Sequence, residues 1–265
     1  MFLVNHSLAR ALAAALVATL SSGPAVAQLV PHRALYELSL AESGGGLAQA
    51  EGAFAIEWQA ACEGYSSRQR LWFLGATDEG GLFDSDVRFS SWESLDTTTL
   101  RFTMRSFSEG ELVEEYRGTA IVPRDGTPGR AHYVLPEASE APLPPDTLFP
   151  TDHLNQLLAS AMRGERLMTQ HVFDGSGAGA DALSAVTAVI GQPAVEGEQE
   201  DEERVWPVAL GYHDPQDHEA GVPIFELRFM LSERGLMRDV LLDYGDFALK
   251  ATLEHMAWLP EPDCP

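Results

Sequence analysis

The chain has 265 residues, with 17 Lys or Arg against 40 Asp or Glu, for a formal charge of −23. That balance argues against duplex nucleic acid and anionic membrane surfaces, whose binders concentrate basic side chains against phosphate. A 45% hydrophobic share is ordinary for a globular chain, and this length accommodates one large β domain or two small ones.

The N-terminus reads as a secretory signal peptide over residues 1–27. Arg10 precedes the apolar run Ala11–Leu20, breakers follow at Ser21, Ser22, Gly23 and Pro24, and Ala25-Val26-Ala27 is a small-x-small cleavage site. The run falls short of the ~20 residues a transmembrane helix needs. Cleavage after Ala27 leaves Gln28 as the new terminus and no transmembrane segment, and no Cys follows the site for lipid attachment. The expected destination is an oxidising compartment outside the cytoplasm. Cys62 and Cys264 are the two cysteines of the chain. An even count in an oxidising compartment favours a disulfide. A staple closing so long a loop is worth about 5 kcal/mol in the chain-entropy model.

The rest reads as strands almost throughout. Residues 34–41, 52–59, 66–74, 82–92, 99–107 and 112–122 alternate apolar and polar positions, as in Phe54, Ile56 and Trp58 against Ala55, Glu57 and Gln59. Period two is the signature of half-buried antiparallel strands. Glycine-containing turns separate them, at Ser43–Gly46, Asp78–Gly81, Ser108–Gly110 and Arg124–Gly126. Five prolines make residues 136–150 a connector between two halves. A helix is predicted over 152–163, with Thr151 as N-cap and Gly164 at its end. Leu154, Leu157, Leu158, Ala161 and Met162 form one apolar stripe, which predicts that the helix lies against the sheet. Strands resume at 166–173, 183–190, 204–212, 223–231, 236–244 and 247–258, with residues 174–181 (DGSGAGAD) as a flexible connector and 196–203 as an acidic loop tip. The expectation is an all-β fold, a many-stranded antiparallel meander or open barrel with one main helix, forming one domain over residues 28–265.

Templates for catalysis are missing from the sequence: no phosphate-binding glycine loop with its lysine, no G-x-S-x-G elbow and no H-E-x-x-H. No cofactor is implied. His213, Asp214, Asp217 and His218 could supply zinc ligands, and they keep an unrecognised metal-dependent enzyme as an alternative. The aromatic stripe of Phe54, Ile56, Trp58 and Phe102, with Trp72, Phe73 and Phe107, admits two readings: core packing, or the lining of an apolar cleft in an incompletely closed barrel. In the second, Leu154, Leu158 and Ala161 face the cleft and the helix is its plug or lid. The ligand is then apolar or amphiphilic, and the acidic surface predicts that neutral or zwitterionic heads outbind anionic ones.

The run Val30-Pro31-His32-Arg33-Ala34-Leu35-Tyr36-Glu37-Leu38, the segment Trp58–Tyr65 with Cys62, the Phe149-Pro150-Thr151-Asp152-His153 entry to the helix, and Tyr244-Gly245-Asp246-Phe247 leading to Cys264 together resemble the EipB-type periplasmic cell-envelope integrity proteins of alphaproteobacteria. The resemblance covers essentially the whole chain after residue 27. It implies a β-spiral, an open barrel similar to the periplasmic lipoprotein carriers, with a helix in or beside its core and a Cys62–Cys264 disulfide. It also implies a non-enzymatic role in the envelope, with apolar ligand binding and a helical-repeat periplasmic protein as partner.

Overall fold

The computed structural model describes residues 29–197, 202–216 and 221–264. The signal peptide expected at 1–27 lies outside the described residues. The chain forms β1 (His32–Glu42), β2 (Leu47–Ala61), β3 (Gly64–Thr77), β4 (Leu82–Ser94), β5 (Thr99–Ser108), β6 (Glu111–Ile121), β7 (Gly129–Leu135) and β8 (Ser139–Leu143). The helix α1 (Pro150–Arg163) and β9 (Leu167–Phe173) follow, then a 3-10 turn at Gly179–Ala182. The chain ends with β10 (Leu183–Ile190), β11 (Ala194–Glu196), β12 (Glu203–His213), β13 (Phe225–Ser232), β14 (Met237–Asp243) and β15 (Ala248–Trp258).

All strands join one antiparallel sheet in the order β8-β7-β6-β5-β4-β3-β2-β1-β15-β14-β13-β12-β10-β9, with β11 added beside β12. The first and last strands thus pair in its middle, while the two edges belong to β8 and β9, which are consecutive along the chain. The segment before the helix draws these edges together. Leu148 donates its N–H to the His171 carbonyl at 2.8 Å and accepts from the Phe173 N–H at 3.0 Å, a parallel bridge onto β9. The sheet is therefore a nearly closed barrel, which limits its unpaired edges.

Three expectations need correction. The proline-rich connector contains strand β8, with Pro142 paired opposite Arg130. An edge strand tolerates proline because a missing N–H there can point away from its single neighbour. The helix begins at Pro150, so Thr151 lies inside it and Phe149 is the cap position, without a side-chain cap bond. Gly164, left-handed at φ 78°, ends the helix as expected. Residues 174–181 are pinned rather than loose: the Tyr133 hydroxyl donates to the carbonyls of Gly177 (3.1 Å) and Gly179 (3.3 Å).

The helix plugs the barrel. Its apolar Leu157, Leu158 and Ala161 are buried, but so are Thr151, His153 and Ser160, more than a helix laid on one face would bury. Leu157 and Leu158 pack with Tyr36, Trp58, Trp206, Phe229 and Val240 in the main core. Each fully buried leucine contributes about 1.5–3 kcal/mol. A second core, of Leu100, Phe102, Val122, Tyr133, Phe149 and Phe173, fills the end near β5–β8. No helix among the described residues is long and apolar enough to cross a membrane.

Candidate functional site: a transverse groove on the outer sheet face

Alternation along β1–β5 and β15 sends one set of side chains toward α1 and the other set away from it. The outward set builds a groove of about 780 Å³ across six strands, a span of about 24 Å at ordinary strand spacing. Two rows of laddered neighbours form its walls. One row runs Ala257, Arg33, Glu57, Arg68, Ser90, Thr103; the other runs His255, Leu35, Ala55, Arg70, Arg88, Arg105. Ala55, Ala257 and Leu35, with the aliphatic stems of the arginines, give it an apolar lining.

Asp86, a buried carboxylate on β4, organises the second row. It accepts from Arg70 Nε and Nη2 at 2.8 and 2.9 Å, and from Arg88 Nη2 at 2.5 Å. Burial alone would raise its pKa, but the two guanidinium groups outweigh it and hold the carboxyl at about 2. Arg88 also lies 4.5 Å over the Phe107 ring, and Arg105 pairs with Glu115 at 2.7 Å. On the first row Arg68 is 75% exposed and meets Glu57 only at 3.4 Å.

The structure places the residues singled out from sequence as follows. Cys62, in the β2–β3 turn, is bonded to Cys264, with a Cα separation of 5.5 Å. Trp58, Leu158 and Ala161 are buried in the main core, with Phe54, Ile56 and Leu154 packed against it in part. Phe102 sits apart in the second core, edge-on to Tyr133 and Phe173. Ile56 alone of these also borders the outer groove. Inward-facing Phe54, Ile56, Leu71 and Phe89 are only partly buried, and Ile56 and Phe89 also border the outer groove. Of the histidine-aspartate cluster, His213 ends β12 and Asp214 follows it, while Asp217 and His218 lie outside the described residues.

Sequence reading missed the groove. Arg68, Arg70, Arg101 and Arg105 stand out as polar alternates in single strands, but only strand register aligns arginines from neighbouring strands into a row. It also missed Glu93. Both oxygens of this buried carboxylate meet the helix N-terminus, and burial pushes its pKa up to about 7.

By fold, this is a helix-plugged, nearly closed antiparallel β-barrel. The EipB-like family model matches residues 24–260, and the chain belongs to that family. It is 32% identical over 244 residues to the cell envelope integrity protein EipB of Brucella abortus (strain 2308), covering 88% of this chain and 85% of the relative. A crystal structure of a beta-barrel-like protein of a domain of unknown function, also from Brucella abortus, superposes with a TM-score of 0.81 at 30% identity, over 88% of this chain and 100% of the other.

Proposed function

We propose that this protein supports cell-envelope integrity from the periplasm, acting without catalysis by binding an amphiphilic molecule. The observation that carries the reading is the outer groove, whose volume of about 780 Å³ falls in the range of small-molecule sites and whose lining is apolar between charged walls. The envelope role is taken from the EipB relative, and the compartment from the signal-like residues 1–27. A helical-repeat periplasmic partner belongs to the same proposal. A second reading, a lipid carrier using the barrel interior, is favoured by the incomplete burial of inward-facing Phe54 and Leu71. Mass spectrometry of organic extracts from protein purified natively out of its own periplasm tests both. A stoichiometric amphiphile is expected. Protein that leaves the cell fraction with none, and binds none when titrated, contradicts the proposal.

A further inference from the structure

We infer that the outer groove is a site for an anionic amphiphile, with an oxyanion head on the arginine row and an alkyl chain along the apolar lining. The inference rests on the reading of this protein as an amphiphile binder and supplies its ligand class.

The charge pattern is the first argument. In a chain of formal charge −23, five arginines converge on one groove. Arg70, Arg88 and Arg105 are direct neighbours on three adjacent strands. Like charges placed directly opposite destabilise a sheet, so folding alone does not call for this row. Asp86 and Glu115 offset part of the repulsion but leave donors over. Asp86 engages Nε and Nη2 of both Arg70 and Arg88. Their Nη1 groups make no hydrogen bond among the described residues, and neither does either Nη of Arg105. A guanidinium carries five donors in a fixed fork. Asp86 therefore holds two forks in place with N–H groups still to offer, the arrangement that recognises a phosphate or carboxylate head.

The strands beneath the groove favour an alkyl tail. The groove runs across the strands, and the six strands beneath it all lie inside the sheet with neighbours on both sides. Their backbone groups are already paired, so a bound peptide would find no main-chain partners for its own polar groups. An alkyl chain makes no such demand and gains from the lining by burial alone. The preference for neutral heads expected from net charge is thus reversed locally, since charges more than about 10 Å away are screened at ordinary ionic strength.

The test uses one chain length with three heads. Dodecyl phosphate, dodecyl phosphocholine and dodecyl maltoside are titrated calorimetrically below their micelle concentrations into the purified protein, with inorganic phosphate as a fourth probe. The variants are Arg105→Gln combined with Arg88→Lys, which removes the unpaired Nη donors of two members of the row, and Ala55→Trp, which fills the groove from the outer face. Arg70 is left intact and a lysine keeps a positive charge at position 88, because losing both would strand buried Asp86. Unchanged melting curves verify each fold. Dodecyl phosphate is expected to bind about tenfold more tightly than the maltoside, and the double substitution to remove most of that preference while leaving the maltoside within about twofold. Ala55→Trp should weaken all three, and inorganic phosphate alone should give no saturable heat. Equal affinities for the three heads would overturn the headgroup assignment while amphiphile binding stands. Binding unaffected by either variant overturns the site. Inorganic phosphate matching dodecyl phosphate overturns the role of the tail. No binding by any amphiphile overturns this inference together with the reading beneath it.

Discussion

The Thr151 backbone N–H donates to both carboxylate oxygens of Glu93, at 2.8 and 3.1 Å, so a strand residue 58 positions earlier caps the helix that plugs the barrel. The Asp152 N–H adds a 3.4 Å contact, and Trp58 Nε1 donates to Thr151 Oγ1 at 3.3 Å. Local sequence pointed to Thr151 as its own cap. Because the helix starts at Pro150, its first free N–H groups instead point at β4, where a carboxylate suits the positive end of the helix dipole.

This contact has a pH signature. Burial raises Glu93 from an ordinary 4.5 to about 7, so between those values the folded protein holds a proton that the unfolded chain lacks. The resulting stability is fully present below 4.5 and is lost as pH rises through 7. Buried His153 works oppositely: burial lowers it from 6.5 to about 4, so its contribution is present above 6.5 and lost as pH falls through 4. Replacing Glu93 with Gln isolates the first effect. Relative to Glu93→Gln, the wild type should gain on the order of 2 kcal/mol between pH 8 and pH 5, read from urea unfolding at both pH values. Parallel pH profiles for the two proteins would contradict the assignment.

The Cys62–Cys264 bond ties the C-terminal segment to the β2–β3 turn. Beyond β15, the Leu259 N–H also ties that segment to the Pro31 carbonyl, at 2.8 Å. Cys62→Ser should lower the melting temperature by roughly 5–15 °C, from a loss of about 2–5 kcal/mol. Two free thiols per folded wild-type chain, or an unchanged melt, would count against the staple.

Gly175 and Gly179 separate packing from backbone strain. Both have positive φ, at 74° and 55°. A Cβ at Gly175 would lie 2.4 Å from Phe102 Cγ, whereas at Gly179 it would meet nothing within 4 Å. Gly179→Ala should cost about 1 kcal/mol of stability from strain alone, and Gly175→Ala about 2–4 kcal/mol because it also displaces the Phe102–Tyr133–Phe173 cluster. Equal losses in equilibrium unfolding would mean that residues 174–181 do not bear on the second core.

Ala161 is a core position, nearly inaccessible among Leu157, Trp58 and their neighbours. Ala161→Trp therefore overpacks the barrel, and should lower stability by at least about 1–3 kcal/mol. A substitution that left the melt unchanged would reveal space beside the helix and favour the interior carrier reading.

How much of this was readable in sequence follows from periodicity. Strands such as Thr99–Ser108 announce themselves because Leu100, Phe102 and Met104 go inward while Arg101 and Arg105 go outward. Pro142 hid β8, since proline signals a connector unless the strand is known to be an edge. The disulfide was readable because two cysteines leave one pairing once export to an oxidising compartment is expected. The groove was not, because it exists only across strands. That Arg70, Arg88 and Arg105 stand abreast depends on the β3–β4 and β4–β5 registers, which no single strand encodes. The interior aromatic stripe was visible but divided by topology: Trp58 joined the core around the helix, while Phe102 joined the other core.

If this protein serves the envelope by holding an amphiphile in the outer groove, as we propose, filling that groove removes the service. Complementation tests it most directly: the gene is deleted from its own host, wild type or Ala55→Trp is supplied at equal periplasmic levels, and growth is scored on a membrane-perturbing detergent. With the melting temperature and the disulfide of the variant verified as intact, wild type should restore growth and Ala55→Trp should leave the strain as sensitive as the deletion. Full restoration by Ala55→Trp would contradict the account.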